Sequence, residues 1–434
     1  MRSANSARPA VPTRPRRAAG ADSLWGFIAE VPPAAVPILL GHFVPRTGAG
    51  VRVLIACLAL ASSAGPAGAF VEAFRICTRH QVDRLNVGLA GHVLDYTANH
   101  GTDRRIDSHA LGKPRDVYMY LPPGYDGRTP LPAMIWMHGF GQDEKKFLDL
   151  IPHFDAEIRA GHLPPILICC PDGTVRGRPT PLTNGSFYTN SNAGNFEDFV
   201  IDDVWAFVCR NFAVRPEREA HVLAGGSMGG YAAYHLGFKN RNTFGILIGI
   251  IPPLDIRYVD CHDKYFSKYD PACNAYRETL QPSRVIGRFY GVIAVREKRL
   301  TSPTVGRRNP QGMQIYARVN PVEMLDAYDI RPGEFAMFVG IAGRDEFNLD
   351  AQAEHFLDVA ARRGIRPEVY RLPDGRHNTA TGIRMIPTVS HWLAKLLRPY
   401  SPSCGDCTRL LCDRPLTVPA SPATTLLGTL AERK

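Results

Sequence analysis

The segment 221–230 contains the residues whose types and spacing could perform nucleophilic catalysis. Its apolar first half predicts a buried strand, and a Gly-x-Ser-x-Gly turn centred on Ser227 follows, just ahead of a predicted helix. A serine at such a corner is presented at the edge of a sheet, and glycine at positions 225 and 229 avoids a backbone clash because it has no Cβ. We therefore predict that Ser227 is a nucleophile. The alternative is a glycine-rich turn that happens to contain a serine.

A serine nucleophile needs a base to remove its proton and a carboxylate to orient that base. In sheets with this type of turn, the acid follows the serine along the chain and the histidine comes last. Residues 338–346 are typical of a strand that runs into a turn, and Asp345 stands at the tip of that turn. The sequence predicts Asp345 as the acid, with Glu346 and Asp350 as alternatives. Asp345 could also serve only as a turn or helix-capping residue.

The histidine of this predicted group comes from the next strand and loop, residues 371–377, which end in His377. His391 is the alternative, but it lies well inside a predicted helix, where a packed or surface histidine is the usual case. A solvent-exposed loop histidine without a catalytic role is the other reading of His377. The chain order favours His377 as the general base.

The third requirement is a pair of hydrogen-bond donors for the oxyanion that forms in acyl transfer. The sequence His138-Gly139-Phe140-Gly141 follows an apolar strand upstream of Ser227, where one such donor is expected. We predict the Phe140 N–H as this donor, with Gly139 as second choice, and the Met228 N–H as the other donor. His138 is expected to have a structural role. The alternative for this segment is an ordinary glycine-rich turn.

Strands and helices alternate along the chain, which indicates one doubly wound, mostly parallel sheet. Residues 253–330 are irregular, rich in proline, arginine and tyrosine, with one predicted helix around 321–328. We expect this stretch to be a lid-like insertion or substrate rim. The other predicted strands are 92–96, 116–121, 131–137, 165–170, 244–251, 335–341 and 368–372, and the other predicted helices are 146–160, 196–212, 349–363 and 383–397.

The composition is that of an ordinary globular protein: 434 residues, of which 45% are hydrophobic and 21% charged, with a net charge of +10. The arginines are scattered and are not interleaved with aromatic residues, so we predict no nucleic-acid partner. No phosphate-binding, dinucleotide-binding or His-Glu-x-x-His motif occurs, and we predict neither a cofactor nor a metal.

Ten cysteines are present. Cys261 and Cys273 could pair across a loop in an oxidising compartment, and Cys169 and Cys170 lie in an apolar strand where buried thiols are common. The spacing of Cys404, Cys407 and Cys412 resembles part of a zinc site, but a fourth ligand is lacking. A disulfide or plain thiols are expected there.

The N-terminal part of the chain is organised differently from the rest. Residues 1–50 are expected to be a disordered or mis-annotated extension; one hypothesis is that translation begins near Val51 or Val53. Residues 51–69 have the basic start, apolar run and small-residue end of a secretory signal, which predicts a secreted or periplasmic protein; a hydrophobic helix in a cytoplasmic protein is the alternative. A lipoprotein cleavage box at 54–57 ranks lower. The predicted catalytic domain is 70–400 and the predicted tail is 401–434, and no stable membrane insertion is expected.

Six motifs together carry a resemblance to a known family: residues 120–125, 136–139, 186–190, 196–199, 225–230 and 343–345. Over roughly residues 110–400, the chain resembles the putative-esterase family of α/β-hydrolases. That family includes S-formylglutathione hydrolases, feruloyl and enterochelin esterases and antigen 85 mycolyltransferases. The resemblance implies an α/β-hydrolase fold and ester or thioester hydrolysis, or acyl transfer, through an acyl-serine.

The same resemblance implies substrate-binding residues. The loop 185–188 is similar to the segment that lines the acyl site in mycolyltransferases, which implies roles for Ser186, Phe187 and Tyr188. The segment 375–378, Gly-Arg-His-Asn, departs from the family's usual phrasing around the histidine.

The sequence thus predicts a serine ester hydrolase acting on a small-molecule or glycan-linked ester. An acyltransferase with the same three residues, or a non-catalytic binding module on this scaffold, are the alternatives.

Overall fold

The computed structural model describes residues 81–99, 102–177, 185–290, 293–306, 309 and 311–402. The predicted extension 1–50, the signal-like segment 51–69 and the three cysteines of the tail lie outside the described residues.

Eight strands form the central sheet, in the order β1-β2-β4-β3-β5-β6-β7-β8. The pairs β1–β2 and β2–β4 are antiparallel, and the five remaining pairs are parallel. The strands are β1 (His92–Tyr96), β2 (Val117–Leu121), β3 (Ala133–Met137), β4 (Leu167–Pro171), β5 (His221–Gly226), β6 (Ile246–Ile250), β7 (Ala336–Ala342) and β8 (Glu368–Leu372).

The helices are α1 (Phe147–Arg159), α2 (Trp205–Asn211), α3 (Met228–Lys239), α4 (Glu297–Val305), α5 (Gly312–Ala317), α6 (Pro321–Ala327), α7 (Leu349–Arg362) and α8 (Thr379–Leu397). Residues 81–88 are also helical. Shorter turns are Glu144–Lys146, Phe196–Asp198, Phe199–Val204 (a π-helix), Arg218–Ala220 and Arg398–Tyr400.

The sheet is buried on both faces, because apolar residues occupy both sides of its central strands. In β3, Met134 and Trp136 join the core beneath α1 and α8, while Ile135 and Met137 join the core beneath α3 and α7. A strand with helices on both faces needs such a continuous apolar run rather than an alternating one. The doubly wound arrangement follows directly from this pattern.

Residues 253–330 are more regular than the sequence predicts. Two antiparallel ribbons, Tyr258–Val259 with Ala275–Tyr276 and Val285–Phe289 with Ile293–Arg296, accompany helices α4, α5 and α6. Only α6 was expected, because α4 contains a proline and α5 is six residues long and begins with glycine. Such residues weaken the helical signal in a sequence, and packing against the rest of the fold supplies the missing stability.

Cys261 and Cys273 form a disulfide within residues 253–330. Ion pairs of one arginine with two glutamates add further links within the same stretch. The guanidinium of Arg257 pairs with Glu323 at 2.6 Å and with Glu278 at 3.0 Å. Two further ribbons lie elsewhere, Ile106–Ser108 with Lys113–Arg115 and Asn190–Ser191 with Gly194–Asn195.

Helix α8 begins four residues earlier than predicted, at Thr379. The Oδ1 atom of Asn378 accepts a hydrogen bond from the Thr381 N–H at 2.9 Å and caps the helix. Position 377 is therefore fixed immediately before a capped helix terminus. No helix in the described part of the chain is long and apolar enough to cross a membrane.

Candidate active site

Ser227 occupies the sharp corner between β5 and α3. Its backbone has φ 52° and ψ −117°, a conformation that few residues other than glycine adopt. The Ser227 N–H donates to the carbonyl of Ile250 at 2.8 Å. A Cβ at Gly229 would lie 1.9 Å from the carbonyl oxygen of Met137, so the close approach of α3 to β3 requires glycine there. The corner is held on both sides.

The side chains of Ser227, His377 and Asp345 form one hydrogen-bonded series. The Oγ atom of Ser227 lies 2.8 Å from Nε2 of His377, and Nδ1 of His377 lies 2.8 Å from Oδ2 of Asp345. The Asp345 side chain is 1% exposed, and its Oδ1 accepts the Phe347 N–H at 2.8 Å. Because the carboxylate can only accept, the Nδ1 proton belongs to the imidazole, and Nε2 faces the serine with its lone pair.

The structure brings none of the alternative residues into that series. Glu346 accepts the backbone N–H of His377 at 2.7 Å and pairs with Arg376 at 2.8 Å, so it holds the histidine loop rather than the ring. Burial, followed by the nearby charge of Asp345, raises the pKa of Asp350. His391 is exposed on α8, where its Nδ1–H donates to the Pro387 carbonyl at 2.7 Å.

The loop after β3 is held by the buried ring of His138. Its Nδ1 lies 2.9 Å from the carbonyl oxygen of Gly139, and its Nε2 accepts the Gly173 N–H at 2.9 Å. This pattern fixes a neutral imidazole with the proton on Nδ1, and burial lowers the pKa of His138 accordingly. His138 therefore holds this loop from a position two residues before Phe140.

The two candidate donors in this loop differ in their partners. The Gly139 N–H donates to Oε1 of Gln142 at 3.0 Å, so it is already used, and this argues against the second-choice assignment of Gly139. The Phe140 and Met228 N–H groups donate to no other group among the residues that the structure describes. Gly139 nevertheless lies beside the serine, since a Cβ there would be 3.5 Å from the Ser227 Cβ.

A cavity of about 320 Å³ opens at Ser227 and His377. Residues from 253–330 form much of its wall, together with the Phe140 loop, Phe347 and the start of α8. Its lining is mainly apolar and includes Trp136, Phe187, Ile251, Ile256, Ile286, Phe289, Leu300, Met313 and Tyr316. An apolar cavity of this size fits the acyl or aryl part of a small ester.

The three residues that the resemblance assigned to substrate binding have different positions relative to the cavity. Phe187 lines the cavity, whereas Ser186 and Tyr188 do not and are fully buried behind it. Ser186 donates from Oγ to the Gly173 carbonyl at 2.6 Å, and the Tyr188 hydroxyl accepts the His138 N–H at 3.1 Å. Of the three, the structure places only Phe187 at the cavity wall, because Ser186 braces the loop after β4 and Tyr188 braces the loop after β3.

Sequence reasoning missed two residues at this site. Gln142 closes the turn at Gly139 and donates from Nε2 to Thr379 at 3.4 Å; its only signal is a polar residue three positions after a glycine. Phe347 packs edge-on against the His377 ring, with 4.8 Å between ring centroids, and nothing in the local sequence indicates that contact.

Possible metal ligands lie elsewhere in the described part of the chain. The cysteines of one cluster are joined in the disulfide, and neither cluster lines the cavity. The clusters are Cys261, His262 and Cys273, and Glu157, His162 and His391.

Comparison with known proteins finds a family match over part of the chain. Residues 108–307 match the family described as Putative esterase, and this stretch includes the corner at Ser227. Over this stretch the chain is similar to the putative esterase family. Ester hydrolysis is the general reaction that this family's description names.

Solved structures are also similar to this chain. An S-formylglutathione hydrolase from Agrobacterium tumefaciens is 14% identical over 71% of this chain and 96% of its own, with a TM-score of 0.50. A ferulic acid esterase from Anaeromyces mucronatus is 14% identical over 71% and 89%, with a TM-score of 0.43. MPT51 from Mycobacterium tuberculosis is 15% identical over 68% and 97%, with a TM-score of 0.43. The first of these likenesses, together with the sheet order, confirms the predicted α/β-hydrolase fold.

Proposed function

We propose that this protein is a serine carboxylester hydrolase that works through an acyl-serine intermediate. The observation that carries the proposal is the hydrogen-bonded series Ser227–His377–Asp345, with both separations at 2.8 Å, at the wall of an apolar cavity. A nucleophile, a base with its lone pair toward that nucleophile and a buried orienting carboxylate are the three parts that such chemistry needs.

In the first half-reaction, the Ser227 Oγ attacks the ester carbonyl as its proton passes to Nε2 of His377. Asp345 keeps the Nδ1 proton in place and stabilises the imidazolium that forms. The tetrahedral intermediate then collapses: the bond from the carbonyl carbon to the alcohol oxygen breaks, and the alcohol leaves with the proton from Nε2. Ser227 is left as an ester of the acyl group.

The oxyanion is assigned to the N–H groups of Met228 and Phe140. Met228 is the first residue of α3, so its N–H has no partner within the helix. Removal of one such donor typically slows an acyl-transfer enzyme by about 10²- to 10³-fold. These donors act where negative charge develops, which is what distinguishes the transition state from the bound ester.

In the second half-reaction, a water gives a proton to Nε2 of His377 and attacks the acyl carbon. The bond from that carbon to the Ser227 Oγ then breaks, Nε2 returns the proton to Oγ, and the acid is released. A sugar hydroxyl in place of water would make the same machinery an acyltransferase. Product analysis with and without a sugar acceptor separates the two: free acid alone supports the hydrolase.

The test uses the purified chain with 4-nitrophenyl butyrate and a fluorophosphonate probe. We expect hydrolysis by the wild type, a loss of at least about 10³-fold in kcat for Ser227→Ala, and a single adduct located on Ser227 by mass spectrometry. Ser302→Ala, on helix α4 and outside the cavity lining, is the matched control and should leave the rate unchanged. A Ser227→Ala variant as active as the wild type would overturn the proposal, and a folded chain that hydrolyses no ester in a panel would favour a binding module.

A further inference from the structure

Four polar side chains interrupt the apolar wall of the cavity on the side formed by residues 253–330 and α7. Tyr265, Arg277, Glu297 and Gln352 all line the cavity, and each is less than 9% exposed. They are joined in series: Arg277 forms an ion pair with Glu297, its guanidinium lies 5.5 Å from the centre of the Tyr265 ring, and Gln352 donates to the Tyr265 hydroxyl at 3.1 Å. We refer to these four residues as the inner polar cluster.

The charge of the inner polar cluster is balanced internally. One carboxylate oxygen of Glu297 accepts from Arg277, and the other accepts the backbone N–H of Gln281. The positive charge of Arg277 is thus paired before any ligand enters. A second anion would have to be desolvated beside an ion pair that is already complete, so the cluster favours a neutral group.

Two atoms of this cluster lack a hydrogen-bond partner among the described residues: Nε of Arg277, which is a donor, and Oε1 of Gln352, which is an acceptor. Buried polar atoms are normally paired, so each such atom calls for an explanation. The Tyr265 hydroxyl does not satisfy either atom, since it donates to the Phe347 carbonyl at 2.8 Å and accepts from Nε2 of Gln352. What is missing is a group that both accepts and donates.

A hydroxyl group has this combination, since it carries one O–H donor and two acceptor lone pairs. A methyl terminus offers neither, and a carboxylate offers acceptors only. The cluster is also connected to the proposed catalytic residues. The Tyr265 hydroxyl donates a hydrogen bond to the Phe347 carbonyl, and the Phe347 ring packs on the imidazole of His377. Phe347 therefore links the cluster to His377 within the cavity wall.

We propose that the inner polar cluster is a subsite for a hydroxyl group at the far end of an otherwise apolar acyl chain. Gln352 Oε1 accepts from this hydroxyl, and Arg277 Nε–H donates to it. The inference rests on the proposed function, because the acyl group is placed by its bond to Ser227. It makes ω-hydroxy acyl esters the preferred substrate class.

The experiment compares methyl esters of straight-chain acids with methyl esters of the ω-hydroxy acids of equal length, from six to twelve carbons. The hydrolysis rate is measured as acid released at constant pH. We expect the hydroxy ester to have a kcat/KM at least about 10-fold higher at one chain length, since a polar site discriminates against an analogue that leaves its groups unpaired. The monomethyl esters of the matching dicarboxylic acids should be hydrolysed more slowly than either.

The preference should depend on position 352. Gln352→Leu and Gln352→Met both remove the acceptor without changing the net charge, and Met keeps the length of the side chain. We expect the ratio of hydroxy to plain ester to fall to about 1 in both. Gln314→Leu, the same change at an exposed position of α5, should retain the full ratio. Circular dichroism and the melting temperature check that each variant is folded.

Direct binding separates this inference from the proposed function. In the Ser227→Ala variant, calorimetry measures the Kd of both esters without turnover, and the hydroxy ester should bind about 10-fold more tightly at the same chain length. Equal Kd values together with equal kcat/KM values at every length would overturn the subsite, even if Ser227 proves to be the nucleophile. A binding preference that Gln352→Met abolishes would support the subsite even if no ester were hydrolysed.

Discussion

The Nδ1 atom of His138 lies 2.9 Å from the carbonyl oxygen of Gly139, and this contact sets the direction of the next peptide group. The same oxygen accepts the Gln142 N–H at 3.2 Å. In a trans peptide the C=O and N–H bonds point in opposite directions, so the two bonds to Gly139 aim the Phe140 N–H away from His138. The ring thus fixes a proposed oxyanion donor without contacting the substrate.

His138→Ala should therefore lower kcat by about 10²-fold with little change in KM, because the Phe140 N–H acts mainly in the transition state. His138→Asn keeps a donor at the position of Nδ1 and should recover part of the loss. Steady-state kinetics with a 4-nitrophenyl ester gives both values. A rise in KM at unchanged kcat would contradict this role of the ring.

Two neighbouring carboxylates should have very different effects on the rate. Asp345→Asn removes the acceptor of the His377 Nδ1 proton and should reduce kcat by about 10⁴-fold. Glu346→Gln keeps an acceptor for the His377 backbone N–H and loses mainly its pairing with Arg376, so we expect no more than about a 10-fold loss. The kcat values of the two variants are measured in parallel. Losses of similar size would contradict the assignment of different roles to Asp345 and Glu346.

The close approach at Gly229 should appear as lost stability. Gly229→Ala places a Cβ 1.9 Å from the Met137 carbonyl oxygen, and neither backbone can move without disturbing the sheet. We expect the apparent melting temperature to fall by at least about 10 °C, or the protein to be insoluble. Gly226→Ala is the matched control, since a Cβ there meets no described atom within 4 Å and should shift the melting temperature by no more than about 2 °C. Equal shifts would show that the clash is relieved elsewhere.

Asp116 should make stability depend on pH. Burial, and secondarily the charge of Asp172, raises the pKa of Asp116 from 3.8 to about 6 in the folded chain. Between those two values the folded state holds a proton that the unfolded state has lost, so this group's contribution to stability falls as the pH rises from about 4 to about 6 and stays low above that.

Asp116→Asn removes this titration and keeps an acceptor for the Ala98 N–H. The melting temperature of the variant minus that of the wild type should therefore be a few degrees more positive at pH 7.5 than at pH 4. Asp107→Asn, at an exposed ribbon position, serves as the control and should show no such change. A difference that stays constant between the two pH values would contradict the raised pKa.

Much of the architecture could be predicted because it is encoded locally. The continuous apolar runs at β3, β4 and β6 predict buried parallel strands, and the glycines around Ser227 predict a tight strand-to-helix corner. Helices α4 and α5 could not be predicted, because a proline and a glycine obscure them and packing stabilises them. The resemblance implied that Ser186 and Tyr188 bind substrate. In the structure, hydrogen bonds to other loops hold both side chains outside the cavity lining.

The sequence by itself determined the order of the proposed catalytic residues: a serine at a glycine corner, an acid after one later strand and a histidine after the next. Those features depend on residues that are close neighbours in the chain, so their types and spacing are sufficient. Only the tertiary structure decided which side chains meet across long separations, such as Gln142 with Thr379, Phe347 with His377 and Tyr265 with Gln352. These contacts depend on how loops from different strands pack over one sheet edge, and no local pattern records that geometry.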